Sequence, residues 1–298
     1  MQTRQLLLDV LYQQSMRLIN VLLFGNLFIA LCGAACTAAT SLQLGTGDYE
    51  HAPVAFVFFS TLGVYNLHAL LGRRQPVGEV VEPWVRAHRF HILLLCIIGF
   101  GGAAVFFFQL SVAAQVLAIS LGVVVAGYVL PVFHPLRQRI LTSRFGLMKS
   151  FVVAGVWTLL TVWLPLWQAE KETSLLQAVL LLAQRFCWLS MLSLCFDTRD
   201  QNADERNQVL TLPVRYGPSG TAYMYRLLAA AATVLTVVTY VILYWNLAVA
   251  LPLLTSVVLS YGIVRRANRQ QSPYYYLLLV DGQMLVQWLL LFFGAQIR

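Results

Sequence analysis

Asp197-Thr198-Arg199-Asp200-Gln201-Asn202-Ala203-Asp204, running on to Thr211-Leu212-Pro213-Val214-Arg215-Tyr216-Gly217, follows directly on an apolar run that ends at Phe196. Three of the chain's 12 acidic residues fall within these first eight positions. Carboxylates beside a membrane are costly unless they serve something. If a helix continues through the stretch, offsets of three and seven residues turn the second and third carboxylates by about 300° and about 700°, so all three fall within an arc of roughly 60°. Such an edge can hold a hard divalent cation of the Mg²⁺ type, which takes oxygen ligands, keeps waters and bridges to substrate phosphates. Asn202 and Asn207 add carbonyl oxygens nearby. The alternative is a solvated juxtamembrane loop neutralised by its own Arg199 and Arg206, as charge-rich loops beside spans commonly are.

The apolar run before Asp197 is one of many. The chain is 59% hydrophobic and 11% charged, against roughly 25% charged in a soluble domain, which makes it a polytopic protein of the lipid bilayer. Windows of about 20 apolar residues predict nine spans, at 18–40, 53–71, 90–108, 112–131, 147–167, 175–196, 223–244, 247–264 and 275–294. These runs are too long for barrel strands, and helices satisfy their backbone polar groups within each segment. The expected fold class is therefore all-α, a transmembrane helical bundle. No low-complexity segment or long linker divides it, so residues 1–298 read as one domain.

Lys and Arg are retained on the cytoplasmic side of a membrane. With the N-terminus inside, the inner set is Arg4 and Arg17; Arg73, Arg74, Arg86 and Arg89; Arg137, Arg139, Arg144 and Lys149; Arg199, Arg206, Arg215 and Arg226; and Arg265, Arg266 and Arg269. That is 17 of the 20 basic residues, leaving Lys171 and Arg298 outside and Arg185 within a span. One missed helix would have scrambled this alternation. The expected location is a bacterial cytoplasmic membrane, with the Asp197 stretch on the cytoplasmic face. The net charge of +8 is thus a topology signal and predicts no nucleic-acid partner. The small residues from Cys32 to Ala39 resemble a signal-peptide cleavage site, but the apolar run is longer than an h-region, so the segment is expected to stay as a span. All five cysteines lie within spans and read as small packing residues.

The Asp197 to Gly217 stretch resembles the second aspartate-rich motif of the UbiA superfamily of intramembrane prenyltransferases, with its trailing T-L-P-V-x-x-G. The residues that carry the likeness are Asp197, Arg199, Asp200, Asp204, Thr211, Leu212, Pro213, Val214 and Gly217. Nine spans, polar loops after the second and sixth, and Lys149 opening a span that ends in Leu164-Pro165 extend it to nearly the whole chain. The resemblance implies a bundle whose central cavity holds an isoprenyl diphosphate, with Mg²⁺ bridging two aspartate-rich motifs to the diphosphate. An allylic carbocation then forms as the diphosphate departs, and a lipophilic acceptor, aromatic or otherwise, attacks it. Preorganised cations suit a polyanionic leaving group, and an apolar cavity protects the cation left behind. Carried onto this chain, Asp197, Asp200 and Asp204 are the expected metal and diphosphate ligands. Asn66, His68, Arg73, Arg74, Lys149, Arg137 and Arg215 are the expected substrate-binding residues.

The first aspartate-rich motif should lie at Tyr65 to Arg74. Asn66 is retained there, but the aspartate positions read Leu67, Leu70 and Arg74. Three accounts follow. Arg73 and Arg74 replace one Mg²⁺ as guanidinium forks on the diphosphate, with Glu79 or Glu82 as a recovered ligand. Alternatively the protein is a terpene cyclase of the same superfamily, acting by protonation through Asp200 or His68. In the third account it is a noncatalytic binder of prenyl lipids. A transporter is a further class, but neither an internal repeat nor paired broken helices mark one.

Two intramembrane charges stand apart. Asp281 lies about 10 Å into the ninth span, next to Gly282, Gln283 and Gln287, and an intramembrane carboxylate is a functional candidate by default. Arg185 sits near the middle of the sixth span and needs a counter-charge, which makes an Arg185–Asp281 pair the simplest structural expectation. Tyr274-Tyr275-Tyr276 reads as an interfacial aromatic belt. His51, His88, His91 and His134 have no polar company that points to a site.

Overall fold

The computed structural model describes residues 16–44, 51–71, 78–133, 135, 136, 140, 142, 144–168, 173–243 and 246–296. Arg73, Arg74, Arg137 and His134 lie outside them. Among the described residues there is no strand, and nine helices are long and apolar enough to cross a membrane. They are Leu27–Leu44, His51–Leu70, Arg89–Phe107, Val112–Val129, Phe145–Gln168, Leu175–Arg206, Leu212–Ile242, Leu247–Val264 and Tyr275–Ala295. These are called the first to ninth spans below.

Three differ from the apolar windows in ways that bear on the site. The window at 18–40 is broken: residues 16–24 are helical, Gly25 and Asn26 form a turn with Asn26 at φ 59°, and the first span restarts at Leu27. The sixth span does not end at Phe196 but runs unbroken to Arg206, 32 residues in all. At 1.5 Å per residue that is about 48 Å, well beyond a hydrocarbon core of about 30 Å. The acidic stretch is therefore the protruding end of a helix and not a loop. The chain turns at Asn207 and Gln208, the latter at φ 56°, and re-enters helix at Leu212 with Pro213 in its first turn, where a missing N–H costs nothing. Gly217, at φ 64° and ψ −170°, then kinks the seventh span just before Pro218. That left-handed backbone is open to glycine and strained for most other residues, which accounts for the glycine that closes the stretch.

Helix contacts follow small side chains, as expected where lipid supplies no hydrophobic drive between helices. A Cβ on Gly99 of the third span would lie 2.3 Å from the backbone N of Gly63 in the second. One on Gly33 of the first span would meet the Trp157 ring of the fifth at 2.9 Å. Interhelical hydrogen bonds join the sixth, eighth and ninth spans: Trp188 Nε1 donates to Ser260 Oγ at 3.0 Å, Ser260 to Gln283 at 3.3 Å, and Gln287 Nε2 to Ser256 Oγ at 3.0 Å. The polar glutamines after Asp281 are thus packing residues. Large hydrophobics such as Ile97, Val123 and Val258 face outward, as lipid contact requires.

The connections sort into two ends. At one, the turn before the first span, the amphipathic helix Gly78–Ala87, the start of the fifth span, the end of the sixth and the residues joining the eighth to the ninth come together. Phe24 packs edge-on against Trp84 and at a tilt against Tyr274, Tyr274 Oη donates to Asn20, and Arg269 reaches the tip of the sixth span. At the other end, Gln168 Oε1 and the Trp167 carbonyl, closing the fifth span, accept from the backbone N and the hydroxyl of Ser111. This is the alternation that the basic residues predict.

Candidate functional site

Between the spans lies a cavity of about 520 Å³. Its deeper wall is apolar, with Phe28 and Ile29 from the first span, Trp157 from the fifth, Leu189 and Leu192 from the sixth and Met284 from the ninth. Its other end, where the sixth span protrudes, carries Asp197, Asp200, Lys149, Arg199 and His68, with Glu82, Arg86 and Arg89 contributed by the amphipathic helix and the start of the third span.

The long sixth span sets the carboxylates. Asp197 and Asp204, two helical turns apart, share one cation: Lys149 Nζ lies 3.0 Å from Asp197 Oδ1 and 3.1 Å from Asp204 Oδ2. Ser150, the next residue of the fifth span, donates its hydroxyl to Asp197 Oδ2. Asp200 is held from its own helix, by Arg199 Nε at 2.6 Å and an Arg199 Nη at 3.1 Å. The Arg199 guanidinium is in turn positioned over the Phe196 ring at 5.0 Å and the Tyr276 ring at 5.7 Å. Asp197 and Asp200 line the cavity, whereas Asp204 stands behind Lys149. The three carboxylates are thus on one side of the helix, but they do not converge. Among the described residues no three His, Cys, Asp or Glu side chains stand close enough to share a metal ion. Two carboxylates nevertheless fit Mg²⁺, which is bound by one or two carboxylates with waters and substrate phosphates completing its shell.

The turn after the acidic stretch is fastened to it. Gln201 Nε2 donates to the Pro213 carbonyl at 3.0 Å, and Gln201 Oε1 accepts from Arg269 Nε at 3.0 Å. Arg269 also donates to Asn202 at 2.7 Å and pairs with Glu205 at 3.4 Å. Asn202 is therefore a strut. Thr198 Oγ1 meets Tyr225 Oη at 2.8 Å, which locks the sixth span to the seventh.

The other expected site residues divide. Lys149 and His68 line the cavity. Asn66 is 0% exposed and is spent within the fold: its Nδ2 donates to the Gly25 and Leu62 carbonyls at 3.1 and 2.8 Å, and its Oδ1 accepts from Asn26 at 3.1 Å. It pins the break before the first span and so shapes the mouth indirectly. Arg215 points outward over the Tyr216 ring at 5.6 Å. Arg73, Arg74 and Arg137 lie outside the described residues. In their stead the cavity offers Arg86 and Arg89, which sequence reasoning counted only toward topology. Arg86 pairs with Glu82 one turn back on the amphipathic helix, whereas Arg89 opens the third span beyond the break at His88.

The expected Arg185–Asp281 pair does not form. Arg185 is 0% exposed and donates to the Cys36 carbonyl at 2.9 Å and its Sγ at 2.6 Å, with Thr40 and Gln43 at 3.5 and 3.4 Å. Cys36 is thus more than packing. Asp281 instead lines the cavity. The three tyrosines that open the ninth span are tied to the protein: Tyr274, Tyr275 and the buried Tyr276 donate to Asn20, to the Ile263 carbonyl and to the Asn268 carbonyl.

Fold and cavity together define an all-α, multi-pass membrane protein with an acidic-ended internal chamber. The UbiA prenyltransferase family matches residues 85–280, and the chain belongs to that family. The matched region contains the Asp197 to Gly217 stretch and begins beyond Tyr65 to Arg74. Among solved structures, a UbiA homolog from Archaeoglobus fulgidus bound to GPP and Mg²⁺ has 12% identity and a TM-score of 0.63, over 93% of this chain and 99% of that one. The same homolog bound to DMAPP and Mg²⁺ gives 11% and 0.61, over 94% and 99%. A structure of digeranylgeranylglyceryl phosphate synthase gives 11% and 0.58, over 95% and 100%. At such identities these likenesses establish the fold. A comparison with curated proteins finds no match.

Proposed function

We propose that the protein binds an isoprenyl diphosphate with its diphosphate at the acidic end of the chamber and its prenyl chain along the apolar wall, and transfers the prenyl group to a lipophilic acceptor. The observation that carries this reading is that Asp197, Asp200, Lys149, Arg86 and Arg89 open onto the same cavity as Trp157, Leu192 and Met284. A ligand that complements both ends has a polyanionic head and an apolar tail. Asp197 and Asp200 would hold Mg²⁺ with the diphosphate, and the metal would supply Lewis-acid stabilisation of the departing charge. Lys149, Arg86 and Arg89 bring further positive charge to the same end, in keeping with a first motif that lacks its aspartates. Trp157, Tyr65 and Phe28 offer π faces and exclude water from the reacting carbon. By the distribution of its basic residues, this end faces the cytoplasm.

A second reading, a binder without turnover, draws on one observation: Lys149 and Arg199 already neutralise the three carboxylates. Purified protein in detergent, given geranyl diphosphate, Mg²⁺ and a panel of phenolic and quinone-type acceptors, separates the two. Pyrophosphate release that falls at least tenfold in EDTA and in Asp200→Asn is expected. Release unchanged in both would overturn the metal role, and diphosphate binding without any product would favour the second reading.

A further inference from the structure

The carboxylates at the acidic end of the chamber are already paired with the protein's own cations. Asp197 and Asp204 share Lys149, Asp200 accepts two hydrogen bonds from Arg199, and Glu82 pairs with Arg86. The side chains of Lys149, Asp197, Asp204, Arg199 and Asp200 are no more than 15% exposed. Charges so poorly hydrated cannot give up a partner unless another takes its place, because an uncompensated buried charge is strongly disfavoured. Lys149 or Arg199 would have to yield its carboxylate to a divalent cation arriving alone, and would be stranded. Asp197 and Asp200 would repel a diphosphate arriving alone. A ligand that brings both charges strands nothing: the carboxylates take the cation, and the Lys149 ammonium and Arg199 guanidinium donate to phosphate oxygens, in charge-assisted bonds of the same kind. Asp204 does not line the cavity, so it goes on holding the ammonium while Asp197 changes partner. The Phe196 and Tyr276 rings likewise keep Arg199 in place while Asp200 does so.

We infer that the acidic end recognises the Mg²⁺–diphosphate complex and neither component alone, and that Lys149 and Arg199 enforce this by occupying the carboxylates until the complex exchanges partners with them. This inference rests on the reading of the chamber as an isoprenyl diphosphate site, and it names the species that enters. Asp204 is then a positioning residue that acts through Lys149, and not a metal ligand as its place in the acidic stretch suggests.

The test titrates Mn²⁺, a spectroscopic stand-in for Mg²⁺ read by electron paramagnetic resonance, into the full-length protein in detergent, alone and with saturating geranyl diphosphate. Calorimetry of geranyl diphosphate in EDTA and in Mn²⁺ gives the reciprocal coupling, which linkage requires to be of equal size. The wild type is expected to hold Mn²⁺ at least tenfold more tightly with geranyl diphosphate than without it. Lys149→Gln combined with Asp204→Asn removes one charge of each sign, so the net charge is unchanged and Asp197 is released. This double variant should bind Mn²⁺ alone at least tenfold more tightly than the wild type, and the gain that geranyl diphosphate brings should shrink at least threefold. Arg199→Gln, which releases Asp200, should tighten the binding of Mn²⁺ alone in the same direction and reads the exchange if the double variant does not fold. A wild type that binds Mn²⁺ as tightly alone as with geranyl diphosphate overturns the inference. So does a folded double variant whose affinity for Mn²⁺ alone stays level or falls, as it would if Asp204 were a ligand. Coupled binding without product from any acceptor would overturn prenyl transfer and leave the inference standing, whereas a wild type that binds no geranyl diphosphate overturns both.

Discussion

Lys149 is the residue on which the acidic end depends. It holds Asp197 and Asp204 together, both of them buried. Removing one partner of a buried ionic group leaves the others uncompensated, at a cost of about 3–5 kcal/mol. Lys149→Met should therefore lower thermal stability in detergent by that order, and adding Asp197→Asn and Asp204→Asn to it should recover a large part of the loss. Equal stability of Lys149→Met and the parent would show that the triad is not formed. At this scale the aspartates were legible in the sequence because carboxylates are rare in an apolar chain. Arg86 and Arg89 were not, because a juxtamembrane arginine looks the same whether it faces water or a chamber. For Arg185, charge alone suggests a carboxylate partner, whereas the backbone carbonyl and thiol of Cys36 and the amide of Gln43 satisfy it.

Among elements, the second and third spans are held at backbone distance by glycine. Gly99→Ala should destabilise by about 1–3 kcal/mol, because its Cβ would meet Gly63 backbone atoms at 2.3 and 2.6 Å and overpacking at such contacts costs that much. Gly101→Ala, with nothing within 4 Å of its Cβ, should be neutral or slightly stabilising. Unfolding temperatures of the two variants in one detergent check both. Hydropathy located each span, since about 20 apolar residues are hard to hide. It misplaced the ends of the sixth and seventh, because polar residues on a protruding helix do not look different from those in a loop. The break at Gly25 and Asn26 leaves no mark in hydropathy, since the Asn66 amide that it bonds is 40 residues away.

For the molecule as a whole, the two ends differ in charge, and the inner set of basic residues predicts which faces the cytoplasm. Cysteines introduced at Gln270 and Gln109, both exposed and at opposite ends of the bundle, test this. In intact cells a membrane-impermeant maleimide should label Gln109→Cys from outside and leave Gln270→Cys unmodified until the membrane is opened. The reverse pattern would invert the topology. Cys32, Cys36, Cys96 and Cys195 are buried, and the half-buried Cys187 is replaced by Ser in both variants so that only the introduced thiol reports. One clasp at the acidic end carries a consequence for handling. Arg269 grips Gln201, Asn202 and Glu205 from the segment between the last two spans, and its pair with Glu205 is partly exposed. Dissolved ions screen such a contact. Ionic strength should then act as a dial on the looseness of the chamber's rim, read as faster amide deuterium uptake over 201–206 at 1 M salt than at 0.05 M, values of roughly 3 and 14 Å in screening length.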